Sequence, residues 1–341
     1  MAQSDIHDVA KAAGVSISTV SRAFTRPELV SDKTRRKVLQ AADQLDYNIS
    51  RSAGALKMGQ TYRVALLMNE GITSWFNAAT LAGIESVMHP AGYDISLFQH
   101  IDTAETRRAF FTELPIRRNV DAVFVASFAI DPYEVEQLGR ANVPIIGINT
   151  PSFEGFDASI SIDDEEGMFR ATQHLISLGH RHIVYACSAS ETSMNASIDA
   201  RGRGFVRACK ASAPQRDLDW QVLTVQRGPG FIDAALAALI ALDRFPDAIC
   251  CQMDMLAIPL IMRLQRYGHY TPKDYSIIGF DDSTYANDVN LTTIRQDPEA
   301  MGQAAARKAL DLIAGRPLDL AHETVTGQLI LRGTDAVHQP R

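Results

Sequence analysis

The sequence predicts an all-α head joined by a short connector to an α/β body of two doubly wound parallel-sheet lobes. Three observations support this. The first 47 residues carry apolar side chains at helical spacing and no strand pattern. After residue 62, short apolar runs alternate with amphipathic helical stretches, as expected of parallel sheets covered on both faces. The 341 residues also exceed what one core usually organises, so the βα units divide better into two lobes than into one wide sheet.

In the head, Ile6, Val9, Ala10 and Ala13 share a helix face, and Gly14 stops the run. Ser16 is placed to cap a second helix carrying Val20, Ala23 and Phe24. Thr25-Arg26-Pro27-Glu28 reads as a loop, and Ser31 caps a third helix through Val38, Leu39, Ala42 and Leu45. Residues 48–62 form a polar connector whose alanines favour a short helix and whose Gly54 weakens it. The body then offers strands at Val64–Met68, Ile95–Phe98, Ala122–Ala126, Ile145–Ile148, Ile183–Ala186, Val222–Val225, Ala248–Cys251 and Ser276–Gly279. Helices are expected between most of them, at Ala79–His89, Gly167–Leu178, Phe231–Leu242 and Leu256–Tyr267.

Composition narrows the function. The first 62 residues hold nine Lys or Arg against six Asp or Glu, a surplus of three, while the chain as a whole carries −7. The remainder therefore carries −10, which is the balance expected when only a small head meets nucleic acid. The amino-terminal residues show no basic segment followed by an apolar core, and no apolar run is long enough to cross a bilayer. A cytoplasmic protein is expected, with no membrane partner. Cys187, Cys209, Cys250 and Cys251 lack zinc-ligand spacing and read as reduced, buried small residues. His180 and His182 follow Gly179 and read as a helix cap and a strand entrance. No metal or cofactor is expected. The lack of a nucleophile–base set, phosphate loop or dinucleotide fingerprint argues against an enzyme.

The segment from Asp8 to Arg22 has the layout of a helix-turn-helix: a helix, a tight turn at Gly14, and a second helix with Ile17, Ser18, Ser21 and Arg22 on its outer face. In a major groove, Ile17 suits a thymine methyl, Ser18 a base edge or phosphate, and Arg22 a guanine. Ser16, Thr19 and Ser21 suit phosphate oxygens, and Ser31 would hold the flanking backbone. Capping alone would explain Ser16, whereas an Arg beside an exposed Ile at a helix start is better explained by groove contact.

The string Asp8-Val9-Ala10…Ala13-Gly14-Val15-Ser16…Thr19-Val20-Ser21-Arg22 resembles the head of the LacI/GalR family of bacterial transcription regulators. The resemblance continues through Val30-Ser31…Thr34-Arg35…Val38, Leu178-Gly179-His180-Arg181-His182-Ile183, Ile277-Ile278-Gly279-Phe280-Asp281-Asp282 and Leu291-Thr292-Thr293-Ile294. It implies a head at 1–47, a hinge at 48–62, and an effector-binding and dimerisation domain at 63–341 resembling periplasmic binding proteins. The first lobe would cover about 63–162 and 294–320, the second about 163–293 and 321–335. It implies that Leu56 wedges into the minor groove, where an apolar side chain unstacks a base step. Ile49 and Gly54 depart from the family's hinge pattern.

A cleft at the carboxyl ends of parallel strands is the expected ligand site in any such body. Trp75 and Phe76 lie in the loop after the first strand, and Ser127 and Asn149 end the third and fourth. Core packing explains Phe76 equally well. The resemblance adds Arg201 and Asp281 as an effector clamp, against the plainer reading of a structural ion pair. Met253-Asp254 stands where the family usually has Asn-Asp, and Thr73-Ser74-Trp75-Phe76 where it often has Asn-Pro-Phe-Phe. The expected function is a homodimeric, sequence-specific DNA-binding regulator. It would repress carbohydrate-use genes from a double-stranded operator under allosteric control by a small sugar. The alternatives are the same regulator answering to a purine or phosphorylated metabolite, and, from another class, a sugar-transport component or an enzyme on this scaffold.

Overall fold

The computed structural model describes residues 5–25, 27–47, 60–101, 104–113, 119–189, 196–213 and 217–339. Two compact units emerge, one built from residues 1–63 with 119–121, the other from 64–118 with 122–341.

The first unit contains the head. Helix α1 spans Ile6–Ala13, capped by Asp5 in a reciprocal box with Asp8. Gly14 follows in the left-handed conformation (φ 61°), which a residue without Cβ adopts freely, and its N–H bonds back to Ala10 and Lys11. Helix α2 spans Ile17–Thr25, a 3₁₀ turn covers Pro27–Leu29, and α3 spans Asp32–Gln44 behind Ser31. Val9, Ala10, Ala13, Val20, Ala23, Val38, Ala41 and Ala42 form the core. Small alanines at this contact let the helices approach closely. At its other end the connector is anchored: the Asp121 carboxylate accepts from the Thr61 and Tyr62 amides at 2.8 Å each and from the Thr61 hydroxyl at 2.9 Å.

The second unit alternates strands and helices. Its first part runs β1 (Arg63–Met68), α4 (Trp75–Met88), β2 (Asp94–Phe98), α5 (Ala104–Glu113), β3 (Ala122–Ala126), α6 (Pro132–Gly139), β4 (Ile145–Ile148) and β5 (Ala158–Ile162). The middle runs α7 (Asp164–Ser177), β6 (His182–Ala189), α8 (Ala196–Ser212), β7 (Asp219–Gln226), α9 (Phe231–Ile240), β8 (Ala248–Cys251), α10 (Asp254–Arg266), β9 (Ser276–Asp281) and β10 (Thr292–Arg295). The last part is α11 (Pro298–Ile313), β11 (His322–Val325) and β12 (Gln328–Ile330). Two six-stranded sheets result, in the orders β11-β5-β4-β3-β1-β2 and β12-β10-β9-β8-β6-β7. Strand β12 runs antiparallel to β10, while β6 through β10 pair in parallel.

The second sheet shows why its strands read as continuous apolar runs. Ile183, Tyr185 and Cys187 point into a core with Met168, Leu175 and Phe205, and the intervening Val184 and Ala186 point into another with Leu236, Leu239, Leu260 and Leu264. Alternation by two with both faces apolar is the signature of a sheet covered on each side. All four cysteines are free and buried in this lobe.

Three differences from the sequence reading stand out. Strand β11 lies in the first sheet, although 321–335 had been assigned to the second lobe. Helix α11 packs on β4 and β5, so the chain leaving it meets the open edge of β5 first. Strand β10 belongs to the second sheet, so the return to the first lobe comes after Arg295 and not at 294. Strands β5 and β10 escaped the apolar pattern because Ser159, Thr292 and Thr293 are buried polar residues. The Thr292 N–H donates to Thr334 Oγ1 and the Thr293 hydroxyl to Asp254. Leu56 and most of the expected hinge lie outside the described residues.

Helices α7 and α8 pack with no room between them. A Cβ on Gly204 would stand 2.1 Å from the Glu165 carbonyl oxygen. Gly204→Ala is expected to cost about 1–3 kcal/mol through overpacking, despite alanine's better helix propensity. A melting curve checks this: each kcal/mol lowers the transition by about 2–4 °C in a domain of this size.

Candidate functional site

In the head, Ser16 and Ser31 stand just before helix starts, Ile17, Ser18 and Thr19 open α2, and Ser21 and Arg22 lie further along it, Arg22 in its last turn. Ile17 is 41% exposed, beside exposed Ser18 and Arg22, on the α2 face opposite buried Val20 and Ala23. The Ser16 hydroxyl accepts from the Thr19 amide at 3.2 Å and contacts the Ser18 and Thr19 hydroxyls at 2.8 and 2.9 Å. Ser16 is thus a cap as well as a candidate phosphate contact. Ser31 caps α3 through the Thr34 amide at 3.3 Å. Arg35, Arg36 and Lys37, all exposed, extend the basic surface on α3. The sequence reading passed over Leu29, an apolar side chain 59% exposed in the 3₁₀ turn.

In the second unit, Trp75, Phe76, Ser127, Asn149, Arg201 and Asp281 line one cavity of about 630 Å³. Each sits where an element ends or begins. Trp75 and Phe76 open α4, while Ser127, Asn149 and Asp281 lie at the carboxyl ends of β3, β4 and β9. Those three strand-end residues have φ of 67°, 50° and 133°, conformations that favour glycine.

The floor is electrostatic. Arg201 is 4% exposed. Its Nε donates to Asp164 Oδ1 at 2.7 Å, its Nη1 donates to the Gln252 carbonyl at 2.7 Å and lies 3.6 Å from Asp281 Oδ1, and its guanidinium stacks 3.7 Å above the Phe280 ring. The expected clamp is thus arranged differently. Arg201 donates to Asp164 and to the Gln252 carbonyl, with Asp164 its nearer carboxylate and Asp281 farther off, and it still lines the cavity. Gln296 Nε2 donates to Asp281 Oδ1 at 2.6 Å. Burial, with the charges of Asp254 and Asp164, pushes the Asp281 pKa up to about 8 against the opposing pull of Arg201 and Gln296. Asp254 is fully buried, accepts from Thr293 and the Ser283 amide, and so holds the loop after β9 against β10.

Side chains reach across the cleft from both lobes. Glu70 after β1 is ion-paired with Arg227 after β7. Asn149 Nδ2 donates to Ser197 Oγ on α8 at 3.1 Å, while its Oδ1 accepts from the Ile162 amide at 3.2 Å. Exposed Tyr285, with Met253 and Met255, adds apolar surface to the same cavity. The sequence reading did not foresee Ser197, Arg227, Tyr285 or Gln296. The strand-end rule applied to Asp281 would have found Tyr285 four residues later. Gln296 follows a strand the apolar pattern did not reveal.

These features agree with comparisons to known proteins. The family of bacterial regulatory proteins of the lacI type matches residues 5–50, and a periplasmic binding protein-like domain matches 172–334. The HTH-type transcriptional repressor PurR of Vibrio vulnificus (strain CMCP6) is 30% identical over 336 residues, covering 96% of this chain and 98% of its own. The chain belongs to the lacI family of bacterial regulatory proteins. Its fold is shared with the lac repressor dimer bound to operator and the anti-inducer ONPF, at TM-score 0.82 and 22% identity over 98% of this chain and 100% of that one. The transcriptional regulator CelR–cellobiose complex is similar at TM-score 0.68 and 25% identity, over 97% and 99%. This LacI-family chain is therefore a helix-turn-helix DNA-binding transcription regulator and not an enzyme. Among the described residues no helix is long and apolar enough to cross a membrane.

The expected sugar effector is corrected by the curated relatives. PurR repressors from Vibrio and Actinobacillus species recur at 29–30% identity across 90–96% of the chain, and they favour the alternative reading, a purine or phosphorylated metabolite, over a sugar. The aromatic and polar residues that suggested a sugar suit a flat heterocycle equally.

The cleft gives a pH signature. A carboxyl whose folded pKa is raised above its unfolded value binds more protons folded than unfolded, so its contribution to stability falls as pH rises from about 4 to 8. Asp281→Asn removes one such group. Its melting temperature should decline less steeply than wild type across that window, with Asp254, raised in the same sense, keeping some slope. Parallel curves for the two proteins would count against the shifted carboxyl.

Proposed function

We propose that this regulator is a homodimeric repressor whose two heads read the halves of a palindromic operator, and whose cleft binds a purine or a purine nucleotide. The observation that carries the reading is the agreement of the PurR relatives over nearly the whole chain, head and body together. The cleft chemistry supports it. Trp75 and Tyr285 offer π-faces to a flat ring. Asp281, Asn149, Ser197 and Gln296 offer acceptors and donors to the ring's edge nitrogens and exocyclic groups. Asp281, with its pKa near neutrality, is suited either to accept from a ring N–H or, when protonated, to donate to a ring nitrogen.

In the head, Ile17, Ser18 and Arg22 read base edges, and Ser16, Thr19, Ser21 and Ser31 hold phosphates, with Leu56 as the minor-groove wedge. The dimer's two-fold axis matches the operator's. Ligand binding biases the arrangement of the two lobes and, through it, the affinity for DNA.

A melting screen with adenine, guanine, hypoxanthine and their monophosphates, run beside mono- and disaccharides, tests the effector. A bound purine at 100 times its Kd should stabilise by about 2.7 kcal/mol, and sugars should leave the transition unmoved. A shift with sugars alone would overturn the reading. Asp281→Ala should abolish the purine response while operator binding persists.

For the head, Arg22→Ala should relax base preference at one position per half-site at a cost of about 1–3 kcal/mol, read by binding to operator and random duplexes. Unchanged discrimination would remove Arg22 from the groove.

A further inference from the structure

Far from the cleft, at the amino-terminal ends of the second sheet's strands, three ligand-type side chains from distant parts of the chain meet. His180 lies in the turn between α7 and β6, Asp247 just before β8, and His338 in the carboxyl-terminal segment. Each offers an atom within 4.8 Å of those offered by the other two. The imidazoles of His180 and His338 face each other with centroids 5.4 Å apart, and His338 Nε2 lies 3.8 Å from Asp247 Oδ2.

The state of His180 is informative. Its Nε2 lies 3.1 Å from the Ala336 carbonyl, which can only accept, so the proton sits on Nε2 and the lone pair on Nδ1. His180 is 3% exposed, and Nδ1 is buried without a hydrogen-bond partner. A buried lone pair left unmatched is costly and calls for an explanation. Reading the histidine as a helix-cap residue accounts for its place in the chain but not for this atom.

We propose that His180, Asp247 and His338 form a binding site for a divalent transition metal of the zinc type, with solvent as the fourth ligand. Two imidazoles and one carboxylate suit a borderline ion such as Zn²⁺, whereas Ca²⁺ and Mg²⁺ demand mostly oxygen ligands. A ligand histidine normally fixes its tautomer by donating its other ring N–H to a carbonyl, as His180 does to Ala336. The Asp247 carboxylate is held in place by the Arg181 and His182 amides, which donate to it at 2.9 and 3.1 Å.

Ligand atoms on a tetrahedral Zn²⁺ stand about 3.3 Å apart for bonds of about 2.0–2.1 Å. The site must therefore tighten, by side-chain rotation of His338, which is one-quarter exposed. Exposed Arg244, 3.9 Å from Asp247 Oδ1, would swing away. The bound ion would add to the hydrogen bonds that already hold residues 335–338 at the base of the lobe, through Asp335, Ala336 and the His338 amide.

The test uses the full chain, tag-free and chelator-stripped, titrated calorimetrically with ZnCl₂ and followed by melting. Wild type should take up one ion per chain and melt higher with zinc, and Co²⁺ should give the intense visible bands of a tetrahedral site. His338→Ala, on the terminal segment, should stay folded and bind zinc at least about tenfold more weakly, losing the cobalt bands. His89→Ala, an exposed control, should match wild type. Absence of zinc uptake by wild type, or uptake unchanged in His338→Ala, overturns the proposal.

Discussion

The cleft depends on one buried cation. Removing a guanidinium from water costs several kcal/mol even after the surroundings relax, so Arg201 is tolerable only where its fork is fully matched. The match comes from three separate segments: Asp164, just past the first passage from one sheet to the other; the carbonyl of Gln252, after β8; and Phe280 with Asp281, at the end of β9. Satisfying one side chain therefore fixes the mutual positions of three strand and helix ends. Deleting either ionic partner would leave an uncompensated charge in the floor, which is worse than never having buried the pair. The pair's value is thus geometric: it holds Asp281 at a defined place with one oxygen committed to Gln296 and Arg201.

Positive φ at Ser127, Asn149 and Asp281 follows from the same demand. A parallel strand ending in ordinary extended geometry sends its chain straight into the following loop. Twisting the last residue into the left-handed region turns its side chain along the cleft wall at an energetic cost that the surrounding hydrogen bonds must meet. Asn149 shows how: its carboxamide accepts from the Ile162 amide in its own sheet and donates to Ser197 in the other lobe. A residue bonded to both lobes is sensitive to their separation. The Glu70–Arg227 ion pair is a second such link. Closure or opening must break or make these bonds, which is how a small ligand acquires leverage over the arrangement of two large bodies.

Much of this was legible in the sequence because it rests on local rules. Gly14 and the alanines of the head fix a helix-turn-helix through backbone conformation and packing that neighbours in sequence determine. Trp75, Ser127 and Asn149 followed from the rule that parallel strands present their loops at their carboxyl ends, while Arg201 and Asp281 came only from the family resemblance; all five line one cavity. The failures share a cause in long-range placement. Strands β5 and β10 hide behind Ser159, Thr292 and Thr293, whose polar groups are matched by partners as distant as Thr334 and Asp254. Strand β11 went to the wrong lobe because its four residues carry no mark of which sheet edge is open. Asp164 as the true partner of Arg201 was invisible for the same reason: 37 residues of sequence separate two groups in direct contact.

The effector class shows where such local rules stop. A ring-stacking aromatic, two hydrogen-bonding strand-end residues and an Arg–Asp pair describe a site for a polyol and a site for a purine in the same words. Both ligands present a flat or apolar face and a rim of donors and acceptors. What separates them is the direction of each hydrogen bond and the thickness of the slot between walls. A pyranose is puckered and edged with hydroxyls that both donate and accept. A purine is planar, with edge atoms that each do only one or the other. Arg201 bears on the polyol case, because its Nε and Nη1 already donate to Asp164 and Gln252 and fewer of its N–H groups remain for hydroxyls. The burden then passes to Asp281, Asn149 and Gln296, a carboxyl and two carboxamides that between them can donate and accept at the rim of a planar heterocycle beside the aromatic side chains of the cavity.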